Sequence, residues 1–226
     1  MPSDSPAVVL TGASTEVMSE LADLIEAAHP GIPVHAGADE TLGELVGDPA
    51  AVVVPLLLGP DRSFETALRQ GLSALPVLVS ESLGPHPLLA EALHLRLAEA
   101  GLARADRIRM MSMVTAADGV VLGCRAADES AEITSVLLAS RLAVPVVAAP
   151  IEDPAALAAA AGALRANGAQ RIAFSPFVFE AAADELAKAA EAAAAEPAAP
   201  LGGHSSVAQL AVLRYVEALE AIYTGE

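Results

Sequence analysis

Apolar residues in this chain come in short unbroken runs, and each run is followed by a longer stretch in which apolar and polar positions recur with helical spacing. The first run, Ala7-Val8-Val9-Leu10, ends in Thr11-Gly12-Ala13-Ser14-Thr15, a turn that can cap a helix over 16–28. Gly31-Ile32-Pro33-Val34-His35 returns as a second strand, and a short helix is expected over 41–46. Residues 51–58 form a continuous apolar run, the pattern of a parallel strand buried on both faces. A polar loop over 59–63 and a helix through Leu72 lead to a fourth strand at 76–79, and a further helix runs to about Ala100.

From Asp118 the same order recurs: strand 119–122, turn 123–128, helix 130–142, strand 144–148, helix 154–166, strand 171–176, an Ala-rich helix and a final helix to about Tyr223. Pro33 matches Pro145 and Pro55 matches Pro176, so the repeat has the size of a domain rather than of a solenoid unit. The expected fold is α/β, with two similar lobes, each a mostly parallel four-stranded sheet flanked by helices. The division is placed at 1–104 and 105–226. The join lies in 104–117, where 108–113 also reads as a strand. Alanine is the best helix former, so the Ala-rich segments 155–166 and 181–199 read as helices, the second fraying toward Glu196-Pro197.

Composition narrows the function classes. At 226 residues and 54% hydrophobic the chain can fill a sizeable core, but only 3% is aromatic and Trp is absent. That leaves little to stack on bases, and a formal charge of −17 disfavours phosphate backbones, so nucleic acid is excluded as a partner. The single Cys124 rules out an internal disulfide, and no Cys/His spacing offers a structural zinc site. No basic, apolar leader and no membrane-length run is present, and a cytoplasmic protein is expected.

Candidate chemistry concentrates in two histidine turns. Leu83-Gly84-Pro85-His86-Pro87-Leu88-Leu89 sets one imidazole between two prolines, after a strand and before a helix, because Pro fixes φ and suits the first helical turn. Leu201-Gly202-Gly203-His204-Ser205-Ser206 repeats the arrangement near the other end of the chain. His86 is thereby expected at the carboxyl edge of a strand, where open α/β sheets bind ligands. Taken alone, each histidine also reads as a helix cap, His86 more so than His204. His29 and His94 read as surface residues, Cys124 and Met110, Met111 and Met113 as packing, and Glu16, Glu20 and Glu26 as a solvated helix face. Thr11–Thr15 lacks the further glycines of a phosphate-cradling loop, and no Tyr-x-x-x-Lys follows it.

A strand ending in Pro, followed by Leu-Gly-Pro-His-Pro-Leu-Leu in a duplicated α/β chain, resembles the class II tetrapyrrole chelatases of the CbiX and SirB type, and Gly123-Cys124-Arg125-Ala126-Ala127-Asp128 is similar to that family's second-lobe Gly-rich turn. The resemblance implies two lobes facing a cleft, and an enzyme that inserts a divalent metal, Fe²⁺ or Co²⁺, into sirohydrochlorin for siroheme or cobalamin. Metal and macrocycle are substrates, and no retained cofactor is implied. His86 matches the histidine of the family's Gly-Pro-His-Pro turn, and is assigned as metal ligand or proton acceptor; neutral imidazole, with an ordinary pKa near ~6.5, suits either task. Thr11 stands where the family's His-Gly-Ser turn has its histidine, and a hydroxyl holds late transition metals poorly. His204 is assigned as the replacement partner, and Thr11 as a substrate contact. Asp39 and Glu40 lie near the family's acidic position. The macrocycle's carboxylates call for local cations, and Arg62, Arg125 and Arg141 are the candidates. A duplicated chain supplies both halves of a cleft by itself, so a monomer is expected and a dimer stays open.

Overall fold

The apolar strand runs assemble into two separate parallel sheets. The computed structural model describes residues 5–37, 49–104 and 116–224, so the expected helix at 41–46, Asp39, Glu40 and the 108–113 segment with its three methionines lie outside the described residues. Along the described chain the order is β1 (Ala7–Thr11), α1 (Thr15–Ala28), β2 (Val34–Ala36), β3 (Ala51–Pro55), α2 (Arg62–Gly71), β4 (Val77–Val79) and α3 (Pro87–Glu99). It continues with β5 (Gly119–Cys124), α4 (Glu129–Leu142), β6 (Val146–Pro150), α5 (Pro154–Ala166), β7 (Ile172–Phe177), α6 (Ala183–Ala193), β8 (Glu196–Pro197) and α7 (Ser205–Thr224). The sheets have strand orders β2-β1-β3-β4 and β6-β5-β7-β8, every pair parallel.

The registers confirm the internal repeat. Val8 pairs with Val34 and Val120 with Val146, and Val8 and Val120 each donate a backbone N–H to a proline carbonyl, that of Pro33 or Pro145. Thr11 pairs with Pro55 as Gly123 pairs with Pro176, which makes Thr11 and Gly123 equivalent positions. Reversal of the strand order puts a topological switch point at β1/β3 in one sheet and at β5/β7 in the other.

The compact units do not follow the sequential division at 104/105. One unit takes the chain up to Gly84 and again from Gly203, and the other takes Pro85–Gly202. The reason lies in packing: α3 packs on α4 and β7, whereas α7 packs on α1 and β3. In the first unit β1 and β3 are buried, and Ala7, Val9, Ala51 and Val53 meet Leu68, Leu72 and Leu75 on the α2 side. α7 buries Val207, Leu210 and Ala211 completely, and Tyr215 donates its hydroxyl to the Pro6 carbonyl at 2.9 Å.

In the second unit Val121, Ile172 and Phe174 meet the alanine-rich faces of α5 and α6. Alanine gives those helices little bulk, and Phe174 fills the space. Its ring lies over Gly123, where an added Cβ would sit 2.4 Å from the ring's Cζ. Glu196-Pro197 is not a frayed helix end. Ala194 turns left-handed at φ 45°, α6 stops, and the two residues pair with β7 as an edge strand. Arg171 holds that edge through Nε and Nη2 to the two carboxylate oxygens of Glu196, each at 2.8 Å. Among the described residues no helix is long and apolar enough to cross a membrane.

Candidate functional site

Except for α6, whose N-cap residue Ala182 offers no side-chain cap, the described helix starts are capped in two chemical ways. Ser14, Asp61, Asp128 and Asp153 cap α1, α2, α4 and α5 with side-chain oxygens, the usual solution. The two helices that follow the fourth strand of each sheet use imidazole instead. His86 Nδ1 accepts the Leu88 N–H at 3.1 Å, and His204 Nδ1 accepts the Ser206 N–H, also at 3.1 Å. Leu78 and Glu196 hold equivalent places in register, and each histidine lies eight residues beyond its partner strand residue. The two turns are therefore structural copies as well as sequence copies.

Both turns are anchored at a carboxyl edge. Leu83 and Gly84 donate their N–H groups to the Leu57 carbonyl just past β3, at 3.0 and 3.1 Å. Leu201 and Gly202 donate to the carbonyls of Val178 and Phe179 just past β7, at 3.0 and 2.9 Å. His86 and His204 follow two residues later, each at the point where the chain passes from one unit into the other. Gly203 donates its N–H to Glu20 Oε2 at 3.0 Å, and a Cβ there would lie 2.3 Å from that of Glu20, so only glycine fits beside α1. His86 is half-buried and His204 is 7% exposed.

The caps fix the tautomer. A neutral imidazole that accepts at Nδ1 carries its proton on Nε2, and so presents a donor there. Metal coordination through Nε2 requires the proton to move to Nδ1 and the cap to be released, at about 0.5–2 kcal/mol for each helix start. Among the described residues no group of three or more His, Cys, Asp or Glu side chains is placed to hold a metal ion.

Thr11 ends β1 at the first switch point, half-buried, with its carbonyl accepting the Leu56 N–H at 2.7 Å. Gly12 follows at φ 95°, a conformation that suits glycine and brings the backbone close to Leu56. Arg62 is exposed in the first turn of α2, after β3. Arg125 follows β5 at the second switch point and is paired with Glu152 at 3.2 Å and with Glu185. Arg141 is set apart from Arg125: it lies in the last turn of α4, on the order of 18 Å along the helix from its start. There it pairs with Glu91 at 3.2 Å and donates Nε to His94 Nδ1 at 3.1 Å, while His94 Nε2 bonds the Arg104 carbonyl. His94 is thus a bridging residue rather than a solvated one.

Cys124 is buried, its thiol donates to the Ala149 carbonyl at 3.4 Å, and burial pushes its pKa up to about 11. It is packing, not a nucleophile. The pairing of Arg125 with Glu152 and Glu185 was not legible in the sequence, because they lie 27 and 60 positions from Arg125 and only the sheet brings them to it. A cavity of about 290 Å³ opens in the first unit between the end of β4 and α7, lined by Leu78, Arg214 and Ile222 among others, and it contains neither histidine.

No family model matches the chain, and no curated protein matches it by sequence. Solved structures do. DR2241 from Deinococcus radiodurans, described as a multi-domain protein with structural similarity to chelatases and two additional domains, matches with a TM-score of 0.71 at 19% identity over 94% of this chain. The match covers 55% of DR2241, so this chain spans about half the length of that protein. SirB from Bacillus subtilis with Fe³⁺ matches at TM-score 0.66 and 14% identity over 97% of this chain and 98% of SirB. The sirohydrochlorin chelatase SirB from Bacillus subtilis subspecies spizizenii, in complex with cobalt, matches at 0.62 and 14% over 96% and 97%. The two duplicated parallel sheets with their flanking helices are, on these likenesses, a chelatase-like fold.

Proposed function

We propose that this chain is a sirohydrochlorin chelatase-like enzyme of the CbiX and SirB type, which inserts Fe²⁺ or Co²⁺ into a sirohydrochlorin-class macrocycle in the cytoplasm. The observation that carries the reading is the duplicated imidazole turn, His86 and His204, set at equivalent positions in a fold that matches SirB almost end to end. A helix start alone is served by Ser or Asp, as four other helices here demonstrate, so imidazole at both copied positions supports a role beyond capping.

In this reading His86 and His204 receive the metal and the two pyrrole protons, and the metal and the macrocycle are both substrates. Loading proceeds with release of the Nδ1 cap, since the same ring cannot accept a backbone N–H at Nδ1 and coordinate through Nε2 while neutral. Arg125, just past β5, and Arg62, at the start of α2, meet carboxylates of the macrocycle, and Thr11 contacts it through its hydroxyl. Arg141 contributes through α4 and α3 rather than by direct contact.

A second reading is favoured by a specific observation. Thr11 stands at the position of the family's histidine, and a hydroxyl neither titrates near neutral pH nor holds a late transition metal well, which suits a protein that holds a macrocycle without metallating it. Mixing the protein with sirohydrochlorin and Fe²⁺ or Co²⁺ separates the readings by absorbance. A metallated spectrum supports the enzyme, a bound but unmetallated spectrum the carrier, and an unchanged spectrum contradicts both.

A further inference from the structure

Three strand ends on the carboxyl edge of the second sheet bring charge to one point. Arg125 directly follows β5, Glu152 lies two residues past β6, and Glu185 is in the first turn of α6, which follows β7. Arg125 Nη1 donates to Glu152 Oε1 at 3.2 Å and to Glu185 Oε1. Both bonds leave from the same nitrogen. Among the described residues Nε and Nη2 of Arg125 donate to nothing, and the side chain is 49% exposed.

The same unit shows what an arginine does when its task is to close a structure. Arg171 meets Glu196 with its Nε–Nη2 edge, two parallel bonds that use both carboxylate oxygens. At Arg125 that edge is left open although two carboxylates are within reach. Its neighbour Cys124 pairs with Phe177 across β5/β7, where the strand order reverses and where ligand crevices form in open α/β sheets.

We propose that Arg125 is a clamp for a ligand carboxylate, and that Glu152 and Glu185 are positioning residues that hold its guanidinium by Nη1 so that the Nε–Nη2 edge meets the ligand. The inference rests on the tetrapyrrole reading, because a polycarboxylate macrocycle is the ligand it names. Glu185, at 27% exposure, is the firmer hold; Glu152, at 76%, completes it from the other side. A lysine cannot replace the clamp, since an ammonium is a point charge without a planar fork.

Full-length wild type, R125A, R125K, the double variant E152A/E185A and the double variant E152Q/E185Q are titrated with sirohydrochlorin and with its methyl-esterified form, followed by absorbance, with folding checked by circular dichroism. R125A is expected to bind the acid about fivefold more weakly and the ester unchanged. R125K recovers little. E152A/E185A loses acid binding by a similar factor, and E152Q/E185Q, which keeps the acceptors, recovers most of it. Acid binding unaffected by R125A overturns the clamp and leaves the tetrapyrrole reading standing, and tighter acid binding by E152A/E185A overturns the positioning role, because the carboxylates would then be competitors. A wild type that binds neither form ends the tetrapyrrole reading and the clamp with it.

Discussion

Gly123 shows how tightly one residue is constrained. It is equivalent to Thr11, yet no side chain fits there, because a Cβ would meet the Phe174 ring at 2.4 and 2.5 Å. Overpacking of this kind costs about 1–3 kcal/mol, so Gly123→Ala is expected to lower urea stability by that amount. Adding Phe174→Leu should recover part of it, giving a double variant more stable than the two single losses sum to. Additive losses would show that the ring does not set the constraint. The histidine turns were legible in the sequence, as prolines and glycines around an imidazole announce a turn and a helix start. Which ring nitrogen is committed was not legible, since that follows from backbone geometry at Leu88 and Ser206.

At the level of elements, the buried strands were legible because a parallel strand covered on both faces reads as an unbroken apolar run, as in β3. β8 was not. Two residues carry no periodicity, and the alanines before them fit a helix that in fact ends at Ala194. The opposite, amino-terminal edge of this sheet is tied by Asp118, whose carboxylate accepts the N–H groups of Gln170 and Arg171 between 2.8 and 3.0 Å. Those bonds hold its pKa below the usual 3.8, that of Gln170 most. A carboxyl whose folded pKa is depressed stabilises above its unfolded pKa and loses that contribution as pH falls through the folded one. The stability advantage of wild type over Asp118→Asn is therefore expected to be full at about pH 5 and to shrink on further acidification. Unfolding curves across that range check it, and a pH-independent difference would contradict it.

Over the whole molecule, the duplication was legible and the partition into units was not, because patterning reports which face of a helix is apolar but not which sheet will cover it. α3 follows the first sheet in sequence and packs with the second, and α7 does the reverse. The fragment 1–104 therefore lacks the helix that buries Val207, Leu210 and Ala211. Alone it is expected to show no protected amides in β1 and β3 by hydrogen exchange, whereas residues 1–84 linked to 203–226 should protect them; protection in the isolated 1–104 fragment would contradict the partition. The most direct test of the role proposed for the two imidazole turns is the absorbance time course of sirohydrochlorin with Fe²⁺ or Co²⁺, with and without the protein. The account predicts metallation faster with the wild-type chain than without it, and slowed when either His86 or His204 is replaced by Ala. A rate equal to that of the protein-free reaction would contradict it.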